Sequence, residues 1–289
     1  MKERLQKLTD TLLRGDAYEL LLRLTLLLLL LHGASSWMLE VPMRILCILG
    51  LAFPKLLTSR VLWGLIVASV LWVNATQWTW IDNHKYLISY WVIACALSIG
   101  VASRLENLAW NARVLLAAIF ALATGYKIAM GEYHNGAFLH YTFLTDGRIE
   151  ALVRMLTGVG ESVFSENRLR EAALRSIPAE GVRISLASAS EIKMLSFALS
   201  YWTLLIEGTI ALAFALGWKI RDLALQIFIV TTYVFLPVTG FAFILALLGF
   251  AQCHPERRMT RVLYLVIFVV VQTTVAPWGK IAVDLWPIK

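Results

Sequence analysis

Long apolar runs recur along this chain and restrict its fold more than any other feature. Leu26 to Leu31 and Leu263 to Val271 contain no charged residue, and 59% of all 289 residues are hydrophobic. Only 16% of the residues are charged, whereas a soluble domain carries roughly 25%. This excess of apolar side chains predicts that lipid, rather than water, surrounds much of the surface.

The same runs favour α-helices over a membrane β-barrel. A chain in lipid must satisfy its backbone hydrogen bonds internally, which only helices and closed barrels achieve. Barrel strands alternate apolar and polar residues, whereas the apolar runs of this chain are continuous. We therefore predict an all-α, polytopic transmembrane helical bundle that forms a single domain over residues 1–289.

The length that a membrane span requires sets the expected number of helices. A span needs about 20 mostly apolar residues, which predicts about eight spans here, within a range of seven to nine. Two readings are open for Leu223–Ala251, because Pro237 divides it and makes it one long helix or two short ones. The first span is interpreted as uncleaved. The predicted spans are Glu19–Met38, Val41–Leu57, Arg60–Thr76, Lys85–Ser103, Asn111–Met130, Leu195–Leu216, Leu223–Ala251 and Val262–Ala276.

Basic residues are concentrated in alternate loops, the pattern that identifies cytoplasmic loops. They precede the first span and recur between spans two and three, between spans four and five, and after span six. We therefore predict a cytoplasmic N-terminus and, for localisation, a bacterial inner (plasma) membrane. The net charge of +7 is explained by this topology, so we expect the lipid bilayer, and no nucleic acid, as a partner.

One long polar segment, residues 131–194, is then an extracytoplasmic insert between spans five and six. Short amphipathic helices are expected in it, one capped by Asp146 and one over Glu166–Ser176. Ser188 and Glu191 have the spacing of a capping box, which predicts that span six begins there.

Four polar residues are the candidate catalytic residues: Asn83, His84, Lys127 and Glu207. Polar groups are costly inside membrane helices, so each one is a functional candidate. A lysine in an apolar pocket can act as a base. The Asn-His pair can polarise an oxygen of a lipophilic substrate, and the glutamate can relay a proton. This reading predicts a pocket between spans four, five and six.

Structural readings of the same residues are also open. Lys127 lies near the end of a span, where a lysine side chain can extend to the lipid head groups. Glu207 can serve as an interhelical hydrogen-bond partner. Neither a metal site nor a cofactor motif is evident, because the three cysteines are widely spaced and no phosphate-binding loop is present.

Several of these segments resemble the horizontally transferred transmembrane (HTTM) domain family. Asn83-His84-Lys85-Tyr86-Leu87 looks like its Asn-His-x-Tyr-Leu motif. Gly125-Tyr126-Lys127 is similar to its lysine segment, and Tyr201–Ala211, which contains Glu207, to its later glutamate-bearing helix. The family includes the membrane domain of vitamin K-dependent γ-glutamyl carboxylase. The resemblance implies Lys127 as the base, Asn83 and His84 beside the substrate, and a quinone or hydroquinone as the candidate cofactor or substrate.

The chain also departs from the carboxylase. Tyr126 stands where the carboxylase has a second lysine, and no large soluble domain follows the last span. Carboxylation of a protein is therefore not expected. Two functions are open: an enzyme acting on a lipophilic quinone-like or peptide substrate, and a non-catalytic membrane subunit or interaction protein with a membrane protein partner.

Overall fold

The computed structural model describes residues 17–32, 37–79, 81–176, 184–235 and 238–275. These residues form helices and connecting loops without any β-strand, which confirms the all-α fold for this part of the chain. The helices, numbered in chain order, are α1 Ala17–His32, α2 Trp37–Ala52, α3 Pro54–Leu57, α4 Arg60–Thr76, α5 Asn83–Ser98, α6 Arg104–Met130, α7 Ala137–Thr145, α8 Glu150–Thr157, α9 Glu161–Ser176, α10 Ser190–Leu216, α11 Arg221–Phe235, α12 Thr239–Gln252 and α13 Arg258–Val275.

Two helices, α6 and α10, are long and apolar enough to cross a membrane. Each has 27 residues, or about 40 Å at 1.5 Å per residue, which exceeds the roughly 30 Å hydrocarbon core. The other predicted spans correspond to shorter helices, so the number of spans stays a prediction.

Helix boundaries differ from the predicted spans where local chemistry ends or extends a helix. Helix α4 has the predicted bounds, but α5 ends at Ser98, because Gly100 adopts a left-handed φ of 82°. Helix α6 begins well before Asn111, and Glu106 in its first turn suits the positive end of the helix dipole.

The remaining apolar stretches also depart from single continuous spans. The stretch from Leu223 to Ala251 belongs to two helices, α11 and α12, while Pro237 itself lies outside the described residues. The predicted first span overshoots, because α1 ends at His32 and α2 has begun by Trp37.

Helix α12 lies at the centre of the bundle. It packs against α1, α5, α6, α11 and α13, while α6 makes its most extensive contact with α10. Residues 242–248 of α12 are all buried, which explains why this short segment has no polar face. The surrounding core includes the buried rings of Trp63, Trp91 and Phe243.

Three arginines make contacts other than ion pairs at one end of the bundle, which we call the basic end. Arg104 lies over the Tyr18 ring at 4.4 Å, and the Arg60 guanidinium packs against Gly100. Arg113 donates to the carbonyl oxygen of Phe214 at 2.8 Å. These contacts bring the starts of α1, α4 and α6 together with the ends of α5 and α10.

The insert has its own apolar cluster at the opposite end, around Phe143, Val153 and Phe164 and packed on the first turn of α10 at Ile192. Short helices are present in the insert, as expected. One of them, α7, was not predicted. Two capping predictions are wrong. Asp146 ends α7, and its carboxylate accepts from Arg148 instead of capping the next helix.

The predicted capping box is the second error. Ala189 is the N-cap of α10, with no side-chain cap. The Ser188 hydroxyl instead forms a 2.6 Å hydrogen bond with Nε2 of His140. The Ser188 side chain, which the local pattern assigns to the N-terminus of α10, therefore makes a tertiary contact with α7 instead.

Candidate functional site

Lys127 and Glu207 form a buried ion pair between the two longest helices. The Lys127 Nζ lies 2.5 Å from each carboxylate oxygen of Glu207. The Lys127 side chain is 17% exposed and that of Glu207 is 6% exposed. Two of the four predicted catalytic residues are thus in direct contact, although 80 positions separate them in the chain.

Small residues let α6 and α10 approach closely beside this pair. A Cβ added to Gly208 would meet the Thr124 methyl group at 3.7 Å, an ordinary van der Waals contact. Thr124 lies one turn before Lys127 on α6. Its buried hydroxyl has no hydrogen-bond partner among the described residues. The site therefore holds an acid, a base and an unused hydroxyl.

An aromatic side chain covers the ammonium group. The Lys127 Nζ lies 5.2 Å from the centre of the Tyr133 ring, within the range of a cation–π interaction. Tyr133 in turn stacks on Phe138, with ring centres 5.1 Å apart. Burial, reinforced by the negative charges of Glu207 and Glu132, raises the pKa of Tyr133, so its hydroxyl stays protonated.

Tyr133 was not among the predicted site residues. The only sequence signal for it is an aromatic residue shortly after the lysine, where the chain leaves α6. Gly131 turns the chain there with a left-handed φ of 73°, which a side-chain-bearing residue rarely adopts. This turn returns the chain over the end of its own helix and brings the ring to Lys127.

Asn83 and His84 lie at the start of α5, and their neighbours differ from those of Lys127 and Glu207. The His84 ring packs against α12, where a Cβ on Gly240 would lie only 2.8 Å from its Nε2. The Asn83 side chain is exposed. The contacts of His84 therefore involve α12, whereas those of Lys127 involve α10 and the loop after α6.

A small cavity brings together residues that sequence reasoning did not select. Its volume is about 20 Å³, enough for one water molecule. Polar lining comes from His32, Asn74, Lys85 and Ser89, and Lys85 donates to the His32 carbonyl oxygen at 2.5 Å. The cavity lies between α1, α2, α4 and α5, not between α5, α6 and α10, where the pocket was expected.

No group of three histidine, cysteine or carboxylate side chains that could hold a metal ion occurs in the described parts of the chain. Cys47, Cys95 and Cys253 are buried free thiols.

Comparison with protein-family models, with curated proteins and with solved structures found no match. The fold and the site thus define a class only: an all-α bundle with two membrane-length helices joined by a buried lysine–glutamate pair. The resemblance to the HTTM family stays a prediction.

Proposed function

We propose that this chain is a polytopic integral membrane protein. The support is the exposed apolar surface of its longest helices. Only 22% of the most apolar part of α6 and 39% of that of α10 is buried in the bundle. Monomeric soluble proteins rarely expose large contiguous apolar patches. Large exposed apolar side chains also occur on other helices, among them Val61, Leu97 and Val269.

In the proposed orientation the basic end faces the cytoplasm of a bacterial cell. The N-terminus then lies in the cytoplasm, and the insert of residues 131–194 caps the outer face of the inner membrane. The support is the gathering of Arg60, Arg104 and Arg113 at one end of the bundle, the charge asymmetry that sets orientation.

The proposed activity is proton transfer to and from a lipophilic, quinone-like or peptide substrate, with Lys127 as base. This is the role that the resemblance to the HTTM and vitamin K-dependent carboxylase-like family implies. The observation that carries the proposal is the buried Lys127–Glu207 pair. A lysine needs a nearby proton acceptor before it can act as a base, and Glu207 supplies one at 2.5 Å.

The geometry allows a proton to pass from a substrate to Glu207 through Lys127. The Lys127 ammonium passes a proton to Glu207, which leaves a neutral amine and a neutral carboxylic acid. Low-dielectric surroundings reduce the cost of this neutral pair, because burial disfavours both charged forms. The amine then takes the proton of a substrate hydroxyl. The products are a substrate anion, the Lys127 ammonium and the acid form of Glu207.

Thr124 and Tyr133 add to this scheme. The Thr124 hydroxyl has no partner among the described residues, so it is available to donate to the substrate oxygen. Tyr133 stabilises the ammonium that re-forms. Asn83 and His84 are proposed to hold the far side of a larger substrate at the start of α5.

A non-catalytic membrane subunit or interaction protein is the second candidate. The observation in its favour is the size of the cavity between α1, α2, α4 and α5, whose volume of about 20 Å³ holds one water molecule. In this role the Lys127–Glu207 pair joins α6 to α10, and the exposed apolar faces contact a membrane protein partner.

Spectroscopy of a bound hydroquinone tests the first candidate. Detergent-purified protein is mixed anaerobically with menadiol near neutral pH, and the absorbance of the hydroquinone monoanion is recorded. We expect the anion with the unaltered protein, none with Lys127→Met, and a reduced amount with Glu207→Gln. Lys193→Met, which alters an exposed lysine at the start of α10, is the matched control and should behave like the unaltered protein.

An unaltered protein that generates no monoanion would argue against a base acting on a hydroquinone. The same is true if Lys127→Met and the unaltered protein give equal signals. Purification from native membranes with a stoichiometric partner protein would then support the second candidate.

A further inference from the structure

A buried carboxylate organises the helix ends at the basic end of the bundle. Asp222, only 3% exposed, lies in the first turn of α11. Its Oδ1 accepts from Gln252 Nε2 at 2.5 Å and from the Tyr264 hydroxyl at 3.2 Å. Its Oδ2 accepts from Arg257 at 3.1 Å. Both oxygens are therefore occupied by groups from α12, α13 and the loop between them.

Arg261 lies close by without a carboxylate. Its side chain is on α13 and the residue is 4% exposed. The guanidinium carbon lies 4.7 Å from the centre of the Phe250 ring. Its Nε has no hydrogen-bond partner among the described residues, and no acidic residue occurs in the first turn of α13.

A buried cation in this state requires an anion. Removing a guanidinium from water is expensive unless a negative charge and hydrogen-bond acceptors replace the water. Asp222 cannot fully serve, because Gln252, Tyr264 and Arg257 already donate to its two oxygens. Within residues 219–222 and 252–261 there are five basic and two acidic residues. One of those acids, Glu256, has a side chain that is 88% exposed.

The surroundings identify the kind of anion. Exposed apolar side chains flank the cluster on two helices, Leu223 and Ile227 on α11 and Met259 and Leu263 on α13. Acyl chains would lie against these side chains in a membrane, which places a phospholipid head group beside the cluster. Basic pockets between helix ends on the cytoplasmic side are suited to anionic lipids.

We propose that Arg261, together with Arg257 and Arg221, which both lie against Asp222, forms a binding site for the phosphate of an anionic phospholipid. The inference rests on the proposed membrane location but not on the proposed chemistry at Lys127. An arginine suits this role because its planar group binds phosphate through two parallel hydrogen bonds.

Native mass spectrometry of the detergent-purified full chain tests the proposal. The protein is titrated with dioleoyl phosphatidylglycerol, with dioleoyl phosphatidylcholine and with inorganic phosphate. We expect phosphatidylglycerol to bind about tenfold more tightly than phosphatidylcholine, the effect of one charge-assisted contact. Arg261→Gln should abolish this preference and Arg261→Lys should retain part of it.

Arg170→Gln is the matched control, because Arg170 lies in the insert and pairs with Glu166 at 2.6 Å. It should keep the full preference. An equal preference in Arg261→Gln and in the unaltered protein would overturn the proposal. Tight binding of inorganic phosphate alone would overturn the choice of a lipid as the source of the anion.

A stability measurement covers the case in which Arg261→Gln folds poorly. Arg261→Met removes the uncompensated charge, so it should raise the melting temperature in micelles that contain only phosphatidylcholine. Phosphatidylglycerol should stabilise the unaltered protein but not this variant. An equal gain in both proteins contradicts a lipid site at Arg261. Membrane fractionation checks the location itself and so distinguishes a failure of that premise.

Discussion

At the residue scale, the central feature is a lysine and a glutamate that compensate each other inside the bundle. Sequence reasoning selected both residues because polar groups are rare within apolar helices. It left Glu207 with two roles, proton relay or interhelical hydrogen bond. The structure places its carboxylate on Lys127, which is the interhelical contact. Catalysis by the same pair is compatible with that contact and stays a prediction.

A double-mutant cycle on this pair tests its energetic coupling. Lys127→Met or Glu207→Leu alone leaves one buried charge without its partner, which should lower the free energy of unfolding by up to about 3–5 kcal/mol. The double variant should lose much less than the sum of the two. Unfolding of the purified protein in mixed micelles provides the measurement, and additive losses would contradict a coupled pair.

At the element scale, glycines set how closely the helices approach one another. Gly249 of α12 lies directly against the ring of Tyr264, which is fully buried on α13. Gly240 occupies the corresponding position against His84. These contacts join distant segments, so no local pattern in the sequence indicates which glycine is needed. Gly64, in the middle of α4, has open space around its Cα.

An alanine comparison at two of these glycines tests the packing. Gly249→Ala should lower the free energy of unfolding by about 1–3 kcal/mol, because the new methyl group overlaps the rigid Tyr264 ring. Gly64→Ala should be neutral or raise stability by up to about 1 kcal/mol, since alanine favours helix. Thermal melting in one detergent compares the two variants. Equal effects would mean that α12 and α13 are not closely packed at Gly249.

At the scale of the whole molecule, the two ends of the bundle differ in character. One end gathers arginines and the buried Asp222. The other carries the insert, with its own apolar cluster packed on the start of α10. The Lys127–Glu207 pair lies towards the insert, because Lys127 is in the last turn of α6. In the proposed orientation, a substrate from the outer leaflet would reach it beneath the insert.

Cysteine labelling in a bacterial expression host tests this orientation. The three native cysteines are buried, so the background should be low. A membrane-impermeant maleimide should label Glu161→Cys, in the insert, on intact spheroplasts. Lys219→Cys, at the basic end, should react only after lysis, because the bilayer separates the two ends. The reverse pattern would show that the basic end faces outward.

The sequence by itself determined the all-α class, most of the helices and the identity of the unusual polar residues. Apolar runs and rare polar groups are local properties of the sequence, so they can be recognised without knowing the tertiary structure. Two of its errors were also local: Asp146 and Ser188 were assigned to helix caps, whereas the folded chain uses them to bind Arg148 and His140.

Only the tertiary structure decided which polar groups meet. Lys127 is joined to Glu207 across 80 positions, while His84 contacts α12. Arg261 has no carboxylate partner among the described residues, because Gln252 and Arg257 donate hydrogen bonds to the Asp222 carboxylate. The physical reason is that a charge in a low-dielectric interior must be compensated by a group close in space. Proximity in space depends on how the helices pack, which residue spacing along the chain does not specify.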